Sequence, residues 1–313
     1  MGVYQRRPSP CACVVTIAAP KVYPSRMLNR RDFLYTSFAF STSAFASPPA
    51  ATALRFAHRQ ANIVVTPGQS PFEFATHIRG LNGIELQVIW KGQDIGDLSN
   101  SLATGYKAES KRWAIDIPSI AGIWKPGEKI FDMPVAEKAI TNAIRTAEFL
   151  NARVILIALY NDNCPKMDDE SSYAPVVALL QKLAPVAASA NVSLGLETSL
   201  SPTDEKKLLT LVNSHAVRSY YDTTNCESYH PGEAIPGIEL MGPRIVQCHF
   251  KNGDQLLEAP NSPVDWRAAL KALNAIHYNG WYVFETKHSS PEQCIQATTE
   301  NIKFVTRQVL KKT

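Results

Sequence analysis

No two cysteines in this chain stand in Cys-x-x-Cys spacing, and no glycine-rich phosphate loop follows its first strand-like run. The first absence removes zinc-knuckle and thiol–disulfide exchange motifs from consideration. The second removes the signature of a doubly wound, nucleotide-binding sheet. Cys11 and Cys13 fall in the N-terminal segment; Cys164, Cys226, Cys248 and Cys294 remain, and free thiols are expected of them. Cys226 and His230 have no third member or oxyanion motif beside them, so a thiol nucleophile has no support. Excess charge is missing as well. The formal charge of +4 comes from residues 1–46, which hold six Lys/Arg and one acid; the rest of the chain has 26 bases against 27 acids, a net charge of −1. Bulk attraction for nucleic acid or for an anionic membrane is therefore excluded.

Long apolar runs are absent too. The stretch Phe33–Phe45 is mildly apolar but too short, and too rich in Ser and Thr, for a permanent membrane span. Its surroundings give it another meaning. Asn29-Arg30-Arg31-Asp32-Phe33-Leu34 matches a twin-arginine export motif, and Ala44-Phe45-Ala46 fits a small-x-small cleavage site. We read residues 1–46 as a presequence, with 27–46 as the signal peptide proper, starting at Met27. The expectation is export to the periplasm by the twin-arginine machinery. That route carries folded proteins, so the chain can take up a hard divalent metal before it meets competing Cu²⁺ or Zn²⁺.

What remains is a regular alternation. Strand-like runs fall at Leu54–Ala57 (or Asn62–Val65), Ile84–Trp90, Ala114–Ser119, Arg153–Tyr160, Ser193–Ser199, Val217–Asp222, Ile245–Phe250 and Trp281–Thr286. Amphipathic stretches lie between them, clearest at Val135–Leu150 and Tyr173–Ala190, then Asp204–Val212, Asp265–Ile276 and Pro291–Leu310. Asp265 is expected to cap its helix, and Thr203 or Asp204 the helix before it. Eight strands alternating with helices, with no linker between residues 54 and 313, predict a single (β/α)8 TIM barrel.

Four of these strands end in the same unusual way. Glu197 closes Ser193-Leu194-Gly195-Leu196, Asp222 follows Tyr220-Tyr221, His249 follows Gln247-Cys248, and Glu285 closes Trp281-Tyr282-Val283-Phe284. Taken singly, each has an ordinary structural explanation. Together they occupy the carboxyl ends of the last four strands, where barrel active sites are built. Alternation places Gly195 with Glu197, and Val283 with Glu285, on one side of their strands. If that side faces the barrel axis, three carboxylates and an imidazole converge, and the carboxylates would repel one another without a cation between them. Three oxygen donors and one nitrogen suit Mn²⁺, Mg²⁺ or Co²⁺, and admit Zn²⁺.

The motifs LGLETS (Glu197), YYDTTN (Asp222, Asn225), QCHFKN (His249, Lys251) and VFET (Glu285), in this order, resemble those of the xylose isomerase-like TIM barrels, the sugar phosphate isomerase/epimerase superfamily. The resemblance covers residues 54–310 and includes the run VDWRAALKAL…YNGWYVFE. It implies that Glu197, Asp222, His249 and Glu285 ligate one divalent metal, often Mn²⁺. It also implies that Glu197 and Glu285 act as the acid/base pair that moves a proton between adjacent sugar carbons through a stabilised enediolate. The expected function is a metal-dependent sugar or keto-sugar isomerase or epimerase. A dehydratase or lyase acting on a keto-sugar or inosose, and a non-catalytic carbohydrate-binding barrel, are the alternatives.

Departures narrow the resemblance. Asn225 stands where endonuclease IV has a histidine, and no second histidine follows His249, which argues against DNA repair. Gln255 stands near the place of an arginine in the ketohexose epimerases, and Asn252 replaces an aspartate common in the family. Lys251, Lys287 and Asn225 are expected to meet substrate oxygens, Trp124 to stack on a sugar ring, and Glu85 to touch the substrate from strand two. Trp90 and His58 are weaker candidates. The acids of Asp168-Asp169-Glu170 suit the start of a helix.

Overall fold

The computed structural model describes residues 54–310. The expected presequence, residues 1–46, lies outside them. Eight parallel strands close into a barrel: β1 (Arg55–Arg59), β2 (Gly83–Gln87), β3 (Ser119–Ala121), β4 (Val154–Leu159), β5 (Ser193–Thr198), β6 (Val217–Asp222), β7 (Ile245–Phe250) and β8 (Trp281–Phe284). Each strand pairs with the next, and β8 returns to β1 with Ala57 opposite Val283 and His58 opposite Phe284. A small hairpin, Ile89–Trp90 with Gln93–Asp94, sits outside the barrel.

Alternation along the strands divides the side chains into two layers. The outward set, including Ile84, Leu86, Ile155, Ile157, Leu194, Leu196, Phe250 and Phe284, joins the helices in one large apolar core. The inward set includes Val154, Leu156, Ala121 and Tyr220, which form a separate small cluster inside the barrel. Gly195 belongs to this inner layer. A Cβ there would stand 3.1 Å from Tyr220 and 3.2 Å from Val154, so the small residue lets the bulky tyrosine fill the centre.

The helices are α1 (Pro71–Ala75), α2 (Leu102–Trp113), α3 (Met133–Leu150), α4 (Glu170–Ser189), α5 (Pro202–Val212), α6 (Thr223–Tyr229), α7 (Ala234–Met241), α8 (Trp266–Ala275) and α9 (Pro291–Val309). In α3 the buried positions Ala136, Ile140, Ala143, Ile144, Ala147 and Leu150 recur every three or four residues, the period that made the helix legible. Asp265 caps α8 as expected, accepting from the amides of Arg267 and Ala268. The cap of α5 is corrected: Ser201, not Thr203 or Asp204, accepts from the Asp204 amide, with Pro202 opening the helix behind it. Strand three is corrected as well. Ala114 adopts a left-handed conformation that ends α2, and after an isolated bridge between Asp116 and Gly83 the strand proper starts at Ser119, beyond Pro118. Among the described residues no helix is long and apolar enough to cross a membrane.

Candidate metal centre

The inward face of the last four strands carries Glu197, Asp222, His249 and Glu285 to one point. One donor atom from each lies within 4.8 Å of the others. Register explains the convergence: Asp222 is opposite His249, and Val283, two residues before Glu285, is also opposite His249.

His249 stands at the centre, fully buried, with its two nitrogens committed to different neighbours. Nε2 lies 3.1 Å from Glu85 Oε1. Nδ1 faces Glu197 Oε1 at 3.0 Å, Glu285 Oε2 at 3.6 Å and Asp222 Oδ2 at 3.8 Å. When Nε2–H donates to Glu85, Nδ1 presents a lone pair to three carboxylates, the arrangement of a metal-ligating histidine held by an outer carboxylate. Without a metal the ring itself takes up charge. Burial works against protonation, but Glu197 and Glu85 outweigh it and push the His249 pKa up to about 9. Burial also opposes the ionised form of Glu197, yet His249, with help from Arg59 and Lys251, holds that carboxyl below the usual range. Asp222 goes the other way: burial raises its pKa more than Lys251 lowers it.

Asp222 serves two masters through its two oxygens. Oδ1 caps α6, accepting from the Asn225 amide at 2.7 Å. Oδ2 is buried and accepts no hydrogen bond, although Lys251 Nζ stands 2.6 Å away in ion-pair contact. The same ammonium lies 2.7 Å from Glu285 Oε2, while Arg59 at the end of β1 pairs with Glu285 Oε1 and sits 3.6 Å from Glu85 Oε1. Four carboxylates, Glu85 included, thus face two permanent cations. With His249 neutral, as a ligand must be, the deficit of two charges, the lone pair of Nδ1 and an Asp222 Oδ2 met only by the Lys251 ammonium fit a divalent ion held by Glu197, Asp222, His249 and Glu285.

Other expected site residues fall in different places. Lys251 is in the cage. Asn225 is beside it, its amide donating to the Tyr160 hydroxyl at 3.0 Å. Trp124 crosses the end of β4, half-buried, with its indole N–H on the Ala158 carbonyl, and Ala158 is in register with Glu197. Lys287 is exposed and lines a surface depression with Asn62, Lys91 and His288, a depression that none of the four clustered residues lines. Glu85, expected to touch substrate, is instead fully buried below His249. Its Oε2 accepts from Ser119 at 2.8 Å and from Tyr220 at 2.6 Å, and Gln247 ties those two hydroxyls together. With every side of its carboxylate occupied, it orients the imidazole.

Sequence reasoning missed Arg59 and Tyr160. Arg59 shares a strand face with Ala57 and so points inward, a signal hidden by ending strand one too early. Tyr160 follows β4, stacks on Tyr229, and keeps its proton because burial and then the charges of Glu197 and Asp222 raise its pKa. A polar residue at the end of a predicted strand was the available sign.

With this geometry in view, the comparisons are informative. The model of the xylose isomerase-like TIM barrels matches residues 78–308. The chain belongs to that family. No curated protein matches it in sequence. Among solved structures, L-ribulose 3-epimerase is similar at 18% identity, with a TM-score of 0.64 over 82% of this chain and 94% of that one. The D-allulose 3-epimerase of Methylomonas sp., solved with D-allulose, has 16% identity and a TM-score of 0.67 over 82% and 97%. The 3-keto-D-glucoside 4-epimerase of E. coli has 13% identity and a TM-score of 0.61 over 81% and 99%. At such identities the likeness establishes the shared barrel, and this family member's chemistry rests on its own residues.

Proposed function

We propose that this member of the xylose isomerase-like family is a divalent-metal-dependent isomerase or epimerase of a sugar or keto-sugar, with Mn²⁺ as the preferred ion. The observation that carries the reading is the four-donor cage, which together with Glu85 and with His249 neutral is short of two positive charges. A divalent ion in that cage supplies Lewis acidity toward a carbonyl and its neighbouring hydroxyl, which acidifies the C–H between them. Glu197 and Glu285 do the proton work from strands that lie three apart around the mouth. One carboxylate takes the proton from carbon, and the other returns one. Return to the opposite face of the same carbon gives epimerisation, and return to the adjacent carbon gives isomerisation. Arg59 fixes one oxygen of Glu285, so this carboxylate is held in place while it exchanges its proton. Trp124 and Tyr160, on the rim beside β4 and β5, offer an aromatic face and a protonated hydroxyl to a ring-shaped substrate. Epimerases among the structural neighbours add weight to the substrate class.

The test is incubation of Mn²⁺-loaded protein in D₂O with ketoses, aldoses, 3-keto-glycosides and inososes, followed by NMR. Deuterium entering one substrate at a carbon next to its carbonyl supports the reading. Metal bound with no incorporation and no turnover on the whole panel favours a carbohydrate-binding barrel, and loss of water without a stable epimer favours a lyase. Export rests on the Arg30-Arg31 motif. Replacing both arginines with lysine and finding the protein still in the periplasm would remove that part of the reading.

A further inference from the structure

On the other side of β1 from Arg59, a second group of donors meets. His58 faces outward from the strand and is fully buried; His288 lies in the turn between β8 and α9; Cys294 sits in the first turns of α9 and is a free, fully buried thiol. One donor atom from each lies within 4.8 Å of the others. None of the three takes part in the oxygen-rich cage.

The local bonding already resembles that of a metal-ready site. His58 Nδ1 lies 3.1 Å from the Arg59 carbonyl, so Nδ1 carries the proton and Nε2 keeps its lone pair. That lone pair points at His288 Nε2, 3.1 Å away, while the Thr286 hydroxyl is 2.9 Å from the same His288 nitrogen. Nitrogens bound to one tetrahedral zinc at about 2.0–2.1 Å stand about 3.3 Å apart, close to the separation found. His288 Nδ1 is buried and has no partner. Moving the ring's proton to Nδ1 therefore gives up only the Nε2–H···His58 hydrogen bond and frees Nε2 to face a metal beside His58 Nε2. Burial keeps both imidazoles neutral, as metal ligands must be.

The geometry points to a second metal site, formed by His58, His288 and Cys294, that takes a borderline-soft divalent ion, Zn²⁺ before Mn²⁺. Two imidazoles and a thiolate select differently from three carboxylates and an imidazole, so the two sites sort ions by softness. On binding, the Cys294 thiol loses its proton to solvent and the thiolate sulfur becomes the third ligand. Three protein ligands leave a fourth position for water or for the Thr286 hydroxyl. The location gives the ion a structural task. Its ligands come from the first strand, the turn after the last strand and the final helix, so it fastens the seam where the barrel closes. The assignment stands on these residues alone and does not depend on the isomerase reading.

The experiment is a titration of chelator-stripped full-length protein with Co²⁺ and Zn²⁺, read by absorption and by melting temperature. Wild type should bind two equivalents of Co²⁺, one giving a thiolate-to-cobalt charge-transfer band. That band should persist in Asp222→Asn, whose oxygen-rich cage is damaged, and vanish in Cys294→Ala. Zn²⁺ should raise the melting temperature of wild type and of Asp222→Asn but not of Cys294→Ala. Removing one ligand should weaken this site at least about 100-fold. Because Cys294 is fully buried, the half-buried His288→Ala provides the same reading if the first variant does not fold. Absence of a thiolate band from wild type overturns the proposal, as does a band that survives in either Cys294→Ala or His288→Ala.

Discussion

The two halves of the barrel mouth divide the work unevenly. Strands β5 to β8 end on Glu197, Asp222, His249 and Glu285, the anionic donors and the imidazole. Strands β1 to β4 supply what those donors need: Arg59 against Glu285, Glu85 and Ser119 beneath His249, Trp124 and Tyr160 beside the rim. In the proposed function one half holds the ion and moves the proton, and the other sets charge and orientation. The late half also contains its own control. Glu205 on α5 is buried like Glu197 but has no cation, and burial pushes its pKa up to about 7 despite the Thr198 hydroxyl. Glu197, facing His249, moves in the opposite direction. Eight residues apart in sequence, the two glutamates show that the partner, and not burial alone, decides whether the charge survives.

The sharpest way to break this division is at the proton-moving pair. Glu197→Gln and Glu285→Gln should each lower solvent–substrate deuterium exchange by about 10²–10⁴-fold; unchanged exchange in the double variant would end the acid/base assignment. Next in size is Glu205. Its folded pKa of about 7 lies above its ordinary value of 4.5, so the stability it contributes is whole below pH 4.5 and is lost as pH rises through 7. The full loss is about 3 kcal/mol. Denaturant unfolding of wild type across this window should show the decline, and Glu205→Gln should flatten it. Glu85→Gln touches no substrate, yet it should weaken Mn²⁺ binding about 10–100-fold in calorimetry by releasing the imidazole from its support. The smallest effect has the opposite sign. Lys251 competes with a metal for Asp222 and Glu285, so Lys251→Met should tighten Mn²⁺ binding about tenfold, a change of about 1.4 kcal/mol. Weaker binding in that variant would mean that the ammonium supports the cage.

The same division explains what could be read in the sequence. Strands five, six and seven are legible to within a residue of their observed ends, since each is a short run rich in apolar or aromatic residues with a charge or an imidazole at or next to its carboxyl end. All four donors were legible for that reason. Strand three was misplaced because it has only three residues and follows a helix end and a proline that carry the apolar pattern forward. Helix α2 escaped notice because Ala103 is its only fully buried residue, and its other core-facing residues, Leu102, Tyr106 and Trp113, are thinly spread and only partly covered. The early half's contribution to the site was obscure in kind as well. Glu85 supports a histidine 164 positions away, and Arg59 reaches a glutamate 226 positions away. Such pairings depend on barrel closure, which no local pattern announces. His58, His288 and Cys294 were hidden in the same way, divided between the two ends of the chain.

The central claim is that the late half of the mouth is a metal cage and that Lys251 holds the metal's place in its absence. Crystals of the Mn²⁺-loaded protein, measured at the manganese absorption edge, test it most directly. The account predicts one anomalous peak ligated by Glu197, Asp222, Glu285 and Nδ1 of His249, with the Lys251 ammonium moved off Asp222. A peak elsewhere, or no peak with Lys251 still bridging Asp222 and Glu285, would contradict it.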